Sequence, residues 1–296
     1  MRGLSATLAF AVLLGLCFNA PSTHADDLYV SVGVILKFDS SGNQSTFASS
    51  GLSSPEGLAF DSSGNLYVAN AGNNTIEEFN SAGTGSVFAT AALGLNEPVA
   101  LAFGSSGNLC VANYGNSTIE EFSSGGTGSV FATTASGLDF PAGLAFDSSG
   151  NLYVANYNNT ILKFNTNGVG SVFATSGVSN PGGLAFDSSG NLYVANYGNN
   201  TIEKFDPSGQ GSVFSNTNAL FEPIDLTFDS SGNLYVANRE STGDILEFDS
   251  EGDMSVFASG FGDPAGIVDE IPEPSSFLLA ALGALSLIAF LKRKRM

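Results

Sequence analysis

Three segments of the sequence place a tyrosine ring beside asparagine amides. They read Asn113-Tyr114-Gly115-Asn116, Asn156-Tyr157-Asn158-Asn159 and Asn196-Tyr197-Gly198-Asn199-Asn200. A tyrosine ring can stack on the face of a sugar, while amides donate and accept hydrogen bonds with its hydroxyls. The pattern predicts a saccharide-binding surface with Tyr114, Tyr157, Tyr197, Asn113, Asn156 and Asn196 as ligand-binding residues. The alternative is that Asn and Gly form tight turns here and Tyr packs within the fold.

Side chains for nucleophilic catalysis are scarce in this chain. Arg2, the apolar run from Leu8 to Leu16 and the small-residue pattern ending at Ala25 predict a secretory signal peptide over residues 1–25. The single histidine, His24, belongs to that segment, so the mature chain lacks the imidazole that Ser-His-Asp and Cys-His mechanisms need. Zinc sites built on His or paired Cys are excluded for the same reason. The one remaining thiol, Cys110, stands where other repeats have Tyr and is expected to be a buried apolar side chain.

The charge is strongly acidic. The chain has 9 Lys and Arg against 28 Asp and Glu, for a net charge of −19, and every acidic residue lies between Asp26 and Glu273. Nucleic acid is therefore not an expected partner, because phosphate backbones are bound by clustered Lys and Arg.

The elements that position these residues come from an internal repeat. A proline recurs at Pro55, Pro98, Pro141, Pro181, Pro223 and Pro264, at spacings of 40 to 43 residues. Each unit predicts four short strands, for example Leu184–Phe186, Leu192–Ala195, Thr201–Phe205 and Ser212–Phe214. Repeats of this length and composition predict an all-β, six-bladed β-propeller over residues 26–269. Strands near the two ends of this range would combine into the sixth blade and close the ring.

Charge along the repeat separates buried strands from exposed positions. The second strand of each unit is uncharged on both faces, as expected for a strand between neighbouring blades. Glu203 and Lys204 fall on a third strand and are expected near the water-exposed rim.

Asp61, Asp147, Asp187 and Asp229 each precede Ser-Ser-Gly. A hairpin turn is predicted there rather than a calcium loop, because one Asp supplies too few ligands.

The repeat also carries a family resemblance. Pro-x-Gly-Leu-Ala-Phe-Asp-x-x-Gly-Asn-Leu-Tyr-Val-Ala-Asn, followed by Asn-x-x-Ile and Phe-Asp, resembles the NHL repeat and, more broadly, six-bladed propellers that include gluconolactonase-type enzymes. That resemblance implies a divalent metal in the central channel, with calcium as a possible cofactor. Here Glu56 matches the expected position and Asp225 is one place off. Streptogramin lyases, which resemble the repeat loosely, depend on a His that the mature chain lacks.

The last residues form a second sorting signal. Ile271-Pro272-Glu273-Pro274-Ser275 precedes the apolar run from Phe277 to Leu291 and the basic end Lys292-Arg293-Lys294-Arg295. The order of these parts resembles the PEP-CTERM tail of Gram-negative bacteria, which exosortase-type enzymes are thought to process. The tail is assigned to residues 270–296, with a predicted transmembrane helix over 277–291 that spans about 22 Å.

These observations predict an exported, non-catalytic protein of the cell envelope or extracellular matrix that is anchored in the membrane until its tail is processed. The expected partners are exopolysaccharide or a surface protein, and the exosortase-type enzyme. No cofactor or metal site is assigned under this hypothesis. The alternative is a metal-dependent, gluconolactonase-like hydrolase that uses Glu56 and Asp225 in the central channel. A third alternative is a matrix component whose acidic surface keeps it soluble or gathers cations.

Overall fold

The computed structural model describes residues 27–39, 41–239 and 243–270. The predicted signal peptide over 1–25 and the predicted helix over 277–291 lie outside these ranges and stay predictions. Within the described ranges no helix has the length and apolar character needed to cross a membrane.

Strands account for nearly all of the regular structure. The chain begins with β1 (Leu28–Ser31), β2 (Ile35–Phe38) and β3 (Gln44–Ala48). Blade 1 contains β4 (Pro55–Phe60), β5 (Leu66–Asn70), β6 (Thr75–Phe79) and β7 (Gly85–Thr90). Blade 2 contains β8 (Pro98–Phe103), β9 (Leu109–Asn113), β10 (Thr118–Phe122) and β11 (Gly128–Ala132). Blade 3 contains β12 (Pro141–Phe146), β13 (Leu152–Asn156), β14 (Thr160–Phe164) and β15 (Gly170–Ala174).

The remaining blades continue the same pattern. Blade 4 contains β16 (Pro181–Phe186), β17 (Leu192–Asn196), β18 (Thr201–Phe205) and β19 (Gly211–Ser215). Blade 5 contains β20 (Pro223–Phe228), β21 (Leu234–Asn238), β22 (Asp244–Phe248) and β23 (Met254–Ser259), and the last strand is β24 (Gly266–Asp269). Short 3₁₀ helices cover Ala91–Leu93, Tyr114–Asn116 and Thr134–Ser136.

The sixth blade joins the two ends of the described chain. Its strand order is β24-β1-β2-β3, and β1 pairs antiparallel with β24 so that Leu28 is opposite Asp269 and Ser31 is opposite Gly266. Ser31 strengthens this closure, because its Oγ accepts a hydrogen bond from the Gly266 N–H at 2.8 Å and donates one to the Glu56 carbonyl at 2.7 Å. The predicted all-β, six-bladed propeller closed by N- and C-terminal strands is confirmed.

The hydrophobic core lies between neighbouring blades. In the interface between blades 3 and 4, the Tyr153 ring lies edge-on to Phe173 and Phe186, with ring centroids 4.9 and 5.0 Å away. The same arrangement recurs around Tyr29, Tyr67 and Tyr193. Edge-to-face aromatic pairs of this kind add to the free energy of burying the rings. The uncharged second strands are buried between blades, as their sequence predicts.

One sequence expectation about charge is wrong. Glu203 was expected near water, but its side chain lies inside the blade 3–blade 4 interface and the residue is only 6% exposed. Glu77 and Glu120 occupy the same place in blades 1 and 2 and are 6% and 4% exposed. The third strand turns this position toward the loop that enters the blade, where Gly177 contacts the Glu203 carboxylate. Burial raises the pKa of all three carboxyl groups.

Candidate functional site

The first strands of the six blades surround a central cavity of about 640 Å³. Their backbones approach one another closely near the axis. A Cβ atom at Gly57 would lie 2.6 Å from the Val99 carbonyl oxygen, and one at Gly143 would overlap the Gly182 carbonyl. Glycine is required at these positions because a larger residue would push the neighbouring first strands apart. The residue one place earlier in each first strand is free to vary, and it lines the cavity.

Three tyrosines form an arc over one half of the cavity mouth, and we call them the aromatic arc. Tyr114, Tyr157 and Tyr197 follow the second strands of blades 2, 3 and 4, so the fold brings them to consecutive positions around the ring, and all three line the cavity. The Tyr114 and Tyr157 rings are edge-on, with centroids 6.3 Å apart. Tyr157 is 46% exposed, so a large aromatic surface is open to solvent. The three loops therefore lie on one face of the propeller.

The asparagines beside these tyrosines have a different environment. Asn113, Asn156 and Asn196 are 0% exposed. The Asn156 side chain accepts a hydrogen bond from the Asp139 N–H and donates to the Gly137 carbonyl and the Thr160 hydroxyl, at 3.0 to 3.2 Å. Equivalent bonds are made to the preceding inter-blade loop by Asn70, Asn113, Asn196 and Asn238. We call these five residues the latch asparagines. Because their amides are already hydrogen-bonded within the fold, the tyrosines are the side chains here that remain open to a ligand.

Charged side chains occupy the other half of the mouth. Glu56 follows Pro55 on β4, Glu97 precedes Pro98, and Arg239 takes the place that tyrosine has in blades 2 to 4; all three line the cavity. Arg239 is paired, because its Nε lies 2.9 Å from Oδ1 of Asp263. Burial raises the pKa of the Glu56 carboxyl, with Arg239 opposing and the charges of Asp263 and Glu97 adding to the shift. We call Glu56 and Glu97 the acidic pair.

Asp225 lies deeper in the cavity wall. Its carboxylate accepts hydrogen bonds from the Leu226 N–H at 2.9 Å and from the Ile267 N–H at 3.0 Å, so it connects blade 5 to the closing strand β24. Burial raises the pKa of Asp225 to about 7, against the effect of these two bonds, and the charge of Glu56 raises it further. Glu56 and Asp225 therefore line one cavity, as the hydrolase alternative requires. Among the described residues no group of three or more His, Cys, Asp or Glu is arranged to hold a metal ion.

The other polar positions singled out in the sequence have structural roles. Asp147 shows the common geometry of the Asp-Ser-Ser-Gly segments, in which Oδ1 accepts from the Ser149 and Asn151 N–H groups and Oδ2 from the Asn151 amide. The predicted hairpin turns are confirmed by the same bonds at Asp61, Asp187 and Asp229. Cys110 is 1% exposed, and burial raises the pKa of its thiol to about 12.

Sequence reasoning did not identify Glu97 or Asp263 as part of the mouth. Both stand immediately before a repeat proline, and that position also holds Ser54, Phe140, Asn180 and Glu222. Five of these six residues adopt a positive φ, Asp263 being the exception. Variation in residue type before a fixed proline marks both residues, and the positive φ marks Glu97 alone.

Comparisons with known proteins agree with this architecture. The NHL repeat family matches residues 52–79, 138–160 and 179–205, and the PEP-CTERM protein-sorting motif matches residues 270–295. No curated protein matches the chain in sequence.

Similar solved structures share the fold at low sequence identity. A chain of a nidogen/laminin complex has a TM-score of 0.74 at 20% identity, covering 84% of this chain and 99% of that one. A streptogramin B lyase has a TM-score of 0.58 at 19% identity, covering 68% and 67%. A catalytically inactive virginiamycin B lyase from Staphylococcus aureus with quinupristin has a TM-score of 0.64 at 16% identity, covering 84% and 94%.

The sorting motif indicates export in Gram-negative bacteria and implies processing by an exosortase-type enzyme. The sorting motif, the sheet order and the repeat matches together define the architecture of the chain. The protein carries NHL repeats on a six-bladed β-propeller and has a C-terminal PEP-CTERM sorting motif.

Proposed function

We propose that this protein is a non-catalytic binding protein of the cell surface or extracellular matrix, and that the cavity mouth binds exopolysaccharide. The observation that carries the proposal is the aromatic arc. Tyr114, Tyr157 and Tyr197 lie on consecutive blades at the rim of an open cavity, and Tyr157 is nearly half exposed. Flat aromatic surfaces with hydroxyl tips suit the apolar faces and hydroxyl edges of sugar rings.

The arc is not explained by folding requirements. Blade 1 has Ala71 at the same position, and its latch asparagine Asn70 still makes its full set of bonds to the inter-blade loop. A blade therefore closes without a tyrosine at its tip. Exposed aromatic side chains that the fold does not need are a common property of ligand-binding surfaces.

The test is retention of the full-length chain on an array of neutral and charged oligosaccharides, in a polyoxyethylene detergent that has no sugar headgroup. The variant replaces Tyr114, Tyr157 and Tyr197 by Ala. The matched control is Val172→Ala, because Val172 is 61% exposed on the outermost strand of blade 3, far from the mouth. We expect the triple variant to stay folded and to lose retention by at least about 100-fold, at roughly 1 kcal/mol or more per stacked ring. Retention equal to that of the control would reject the site.

A surface protein is the second binding partner to consider. The similar propeller in the nidogen/laminin structure belongs to a complex of proteins, which shows that this fold is used in assemblies. A protein that binds at the same mouth would also depend on the three tyrosines. The array distinguishes a saccharide ligand from a protein partner, because a chain that binds only a protein is retained by none of the oligosaccharides.

The hydrolase alternative rests on Glu56 and Asp225, which line the same cavity, and the charge of Glu56 adds to the raised pKa of Asp225. A lactonase of this kind would take up calcium with a stoichiometry near one. Glu56→Gln and Asp225→Asn would each abolish both calcium uptake and lactone hydrolysis. Hydrolysis that survives a chelator and Glu56→Gln would reject this version.

A further inference from the structure

The charge of Arg239 acts on Glu56, but the acidic pair forms no ion pair with it. Among the described residues, the carboxylates of Glu56 and Glu97 form no ion pair within 4 Å, and neither accepts a hydrogen bond from another side chain. The cation of the mouth, Arg239, is already paired with Asp263 at 2.9 Å. The mouth therefore has an excess of negative charge beside a cavity that both polar and apolar atoms line.

The acidic pair lies next to the aromatic arc. Glu56, Glu97 and Tyr114 line one cavity, and the Tyr114 backbone N–H donates a hydrogen bond to the Glu97 carbonyl at 3.0 Å. Tyr157 follows Tyr114 around the ring, at 6.3 Å between centroids. A ligand stacked on Tyr114 would bring its substituents within reach of both carboxylates.

Two lysines elsewhere in the protein show which group binds between a tyrosine ring and a carboxylate. The Lys163 Nζ lies 4.9 Å from the Tyr153 ring centroid and 3.5 Å from Oδ2 of Asp147. Lys204 repeats the arrangement with Tyr193 and Asp187, at 5.0 and 3.6 Å. In both cases a primary ammonium is held between a tyrosine face and a carboxylate. Tyr114 and the acidic pair bring the same two kinds of group, a tyrosine ring and carboxylates, to the lining of one cavity.

We propose that the cavity mouth binds a saccharide carrying primary ammonium groups, with a sugar ring on the aromatic arc and its ammonium between Glu56 and Glu97. This inference rests on the proposed saccharide-binding function and names its ligand class. An ammonium group has three donors, which two carboxylates and a hydroxyl can accept. Charge-assisted bonds of this kind are about twice as strong as neutral ones, and the tyrosine face adds a cation–π attraction.

The experiment compares two probes that differ only in the acetyl group that neutralises each amine. A β-1,4-linked glucosamine hexamer is titrated into the full-length chain, and the N-acetylated hexamer of the same linkage and length is the neutral partner. Both titrations are done at pH 6, where the glucosamine amines are charged, and at low and high salt. The variants are Glu56→Gln and Glu97→Gln. The control is Glu251→Gln, which removes one acidic charge at an exposed turn on the opposite face of the propeller.

We expect the glucosamine hexamer to bind at least about tenfold more tightly than the N-acetylated hexamer, with the difference shrinking at high salt. Glu56→Gln and Glu97→Gln should each reduce that ratio toward one, while Glu251→Gln should keep the wild-type ratio.

Failure of the ammonium inference can be distinguished from failure of the proposed saccharide binding. Equal or tighter binding of the N-acetylated hexamer, lost in the triple tyrosine variant, would overturn the ammonium inference and leave saccharide binding intact. A preference for glucosamine that persists in both glutamine variants would place the cation elsewhere and also overturn it. Binding of neither hexamer would overturn the inference, and the proposed function would then depend on the wider array.

Discussion

Of two adjacent positions in each blade, one has the same residue type throughout and the other varies. The latch position is Asn in all five blades formed from a continuous chain segment, and the amide bonds of these asparagines to the inter-blade loop recur from blade to blade. The next residue along the chain is Ala71, Tyr114, Tyr157, Tyr197 or Arg239. The latch lies inside the protein, whereas its neighbour lies at the cavity mouth. In a repeat protein, positions that stay the same therefore build the fold, and positions that depart from the repeat are where a ligand can be recognised.

The largest expected difference in stability is between substitutions of the adjacent residues Asn156 and Tyr157. Asn156→Ala removes three buried hydrogen bonds and leaves the Asp139 N–H and the Gly137 carbonyl without their partner. We expect a loss of about 3 kcal/mol in the free energy of unfolding, or roughly 6 to 12 °C in melting temperature. Tyr157→Ala should change stability by less than about 1 kcal/mol, because its ring is half exposed. Calorimetry of the two variants checks this, and equal losses would break the comparison.

A second pair tests the same distinction on the first strands. Gly143→Ala places a Cβ against the Gly182 carbonyl and should cost about 2 kcal/mol by forcing two first strands apart. Ala142→Gly is the control, because blade 4 has Gly182 at that position. We expect the control to lose no more than about 1 kcal/mol from added backbone entropy in the unfolded chain. Urea unfolding of both variants measures the difference, and an unaffected Gly143→Ala protein would contradict the close approach of the strands.

The buried glutamates provide a test that depends on pH. Blade 3 has Leu162 where blade 4 has Glu203. We expect Glu203→Leu to stabilise the protein by about 1 kcal/mol at pH 7, because a charged carboxylate no longer has to be buried. The raised pKa means that the penalty of Glu203 is absent below its ordinary value of 4.5 and grows as the pH rises through the folded-state pKa.

The gain from Glu203→Leu should therefore vanish near pH 4. The reciprocal change Leu162→Glu is the control and should destabilise blade 3 with the opposite dependence on pH. Thermal unfolding from pH 4 to 8 measures both. A gain that is constant with pH would show that the carboxylate is well solvated in the native protein.

The smallest effect concerns the ammonium groups held over tyrosines. Lys163→Met removes the contacts of Lys163 with Tyr153 and Asp147 and should cost about 0.5 kcal/mol, because the group is partly exposed. The cost should fall further in high salt. Lys204→Met in blade 4 is the matched repeat of the test. Losses above about 2 kcal/mol in either variant would mean that these surface contacts contribute as much as the latch.

Sequence alone predicted the blade count, the strand positions and the closure of the ring, because each depends on a period that is repeated many times. It also predicted the turns at Asp147 and its equivalents, whose hydrogen bonds are local. The parts played by Glu97 and Asp263 were not predicted, since Glu97 lines the same cavity as Glu56 of blade 1 and Asp263 pairs with Arg239 of blade 5, and the repeat pattern shows neither relation. The burial of Glu203 was missed for a related reason: the partner that covers it, Gly177, lies on the loop entering the blade, outside the strand pattern.

The most direct test of the account is hydrogen–deuterium exchange of the full-length chain with and without the glucosamine hexamer. We predict slower exchange in the mouth segments 94–99, 113–118, 156–160 and 196–201, with no change in the outermost strands β7, β11, β15 and β19. Those strands expose Val87, Val130, Val172 and Val213 and contain no charged residue. Protection of the outermost strands, with unchanged exchange at the mouth, would contradict the claim that the irregular positions around the cavity bind the ligand.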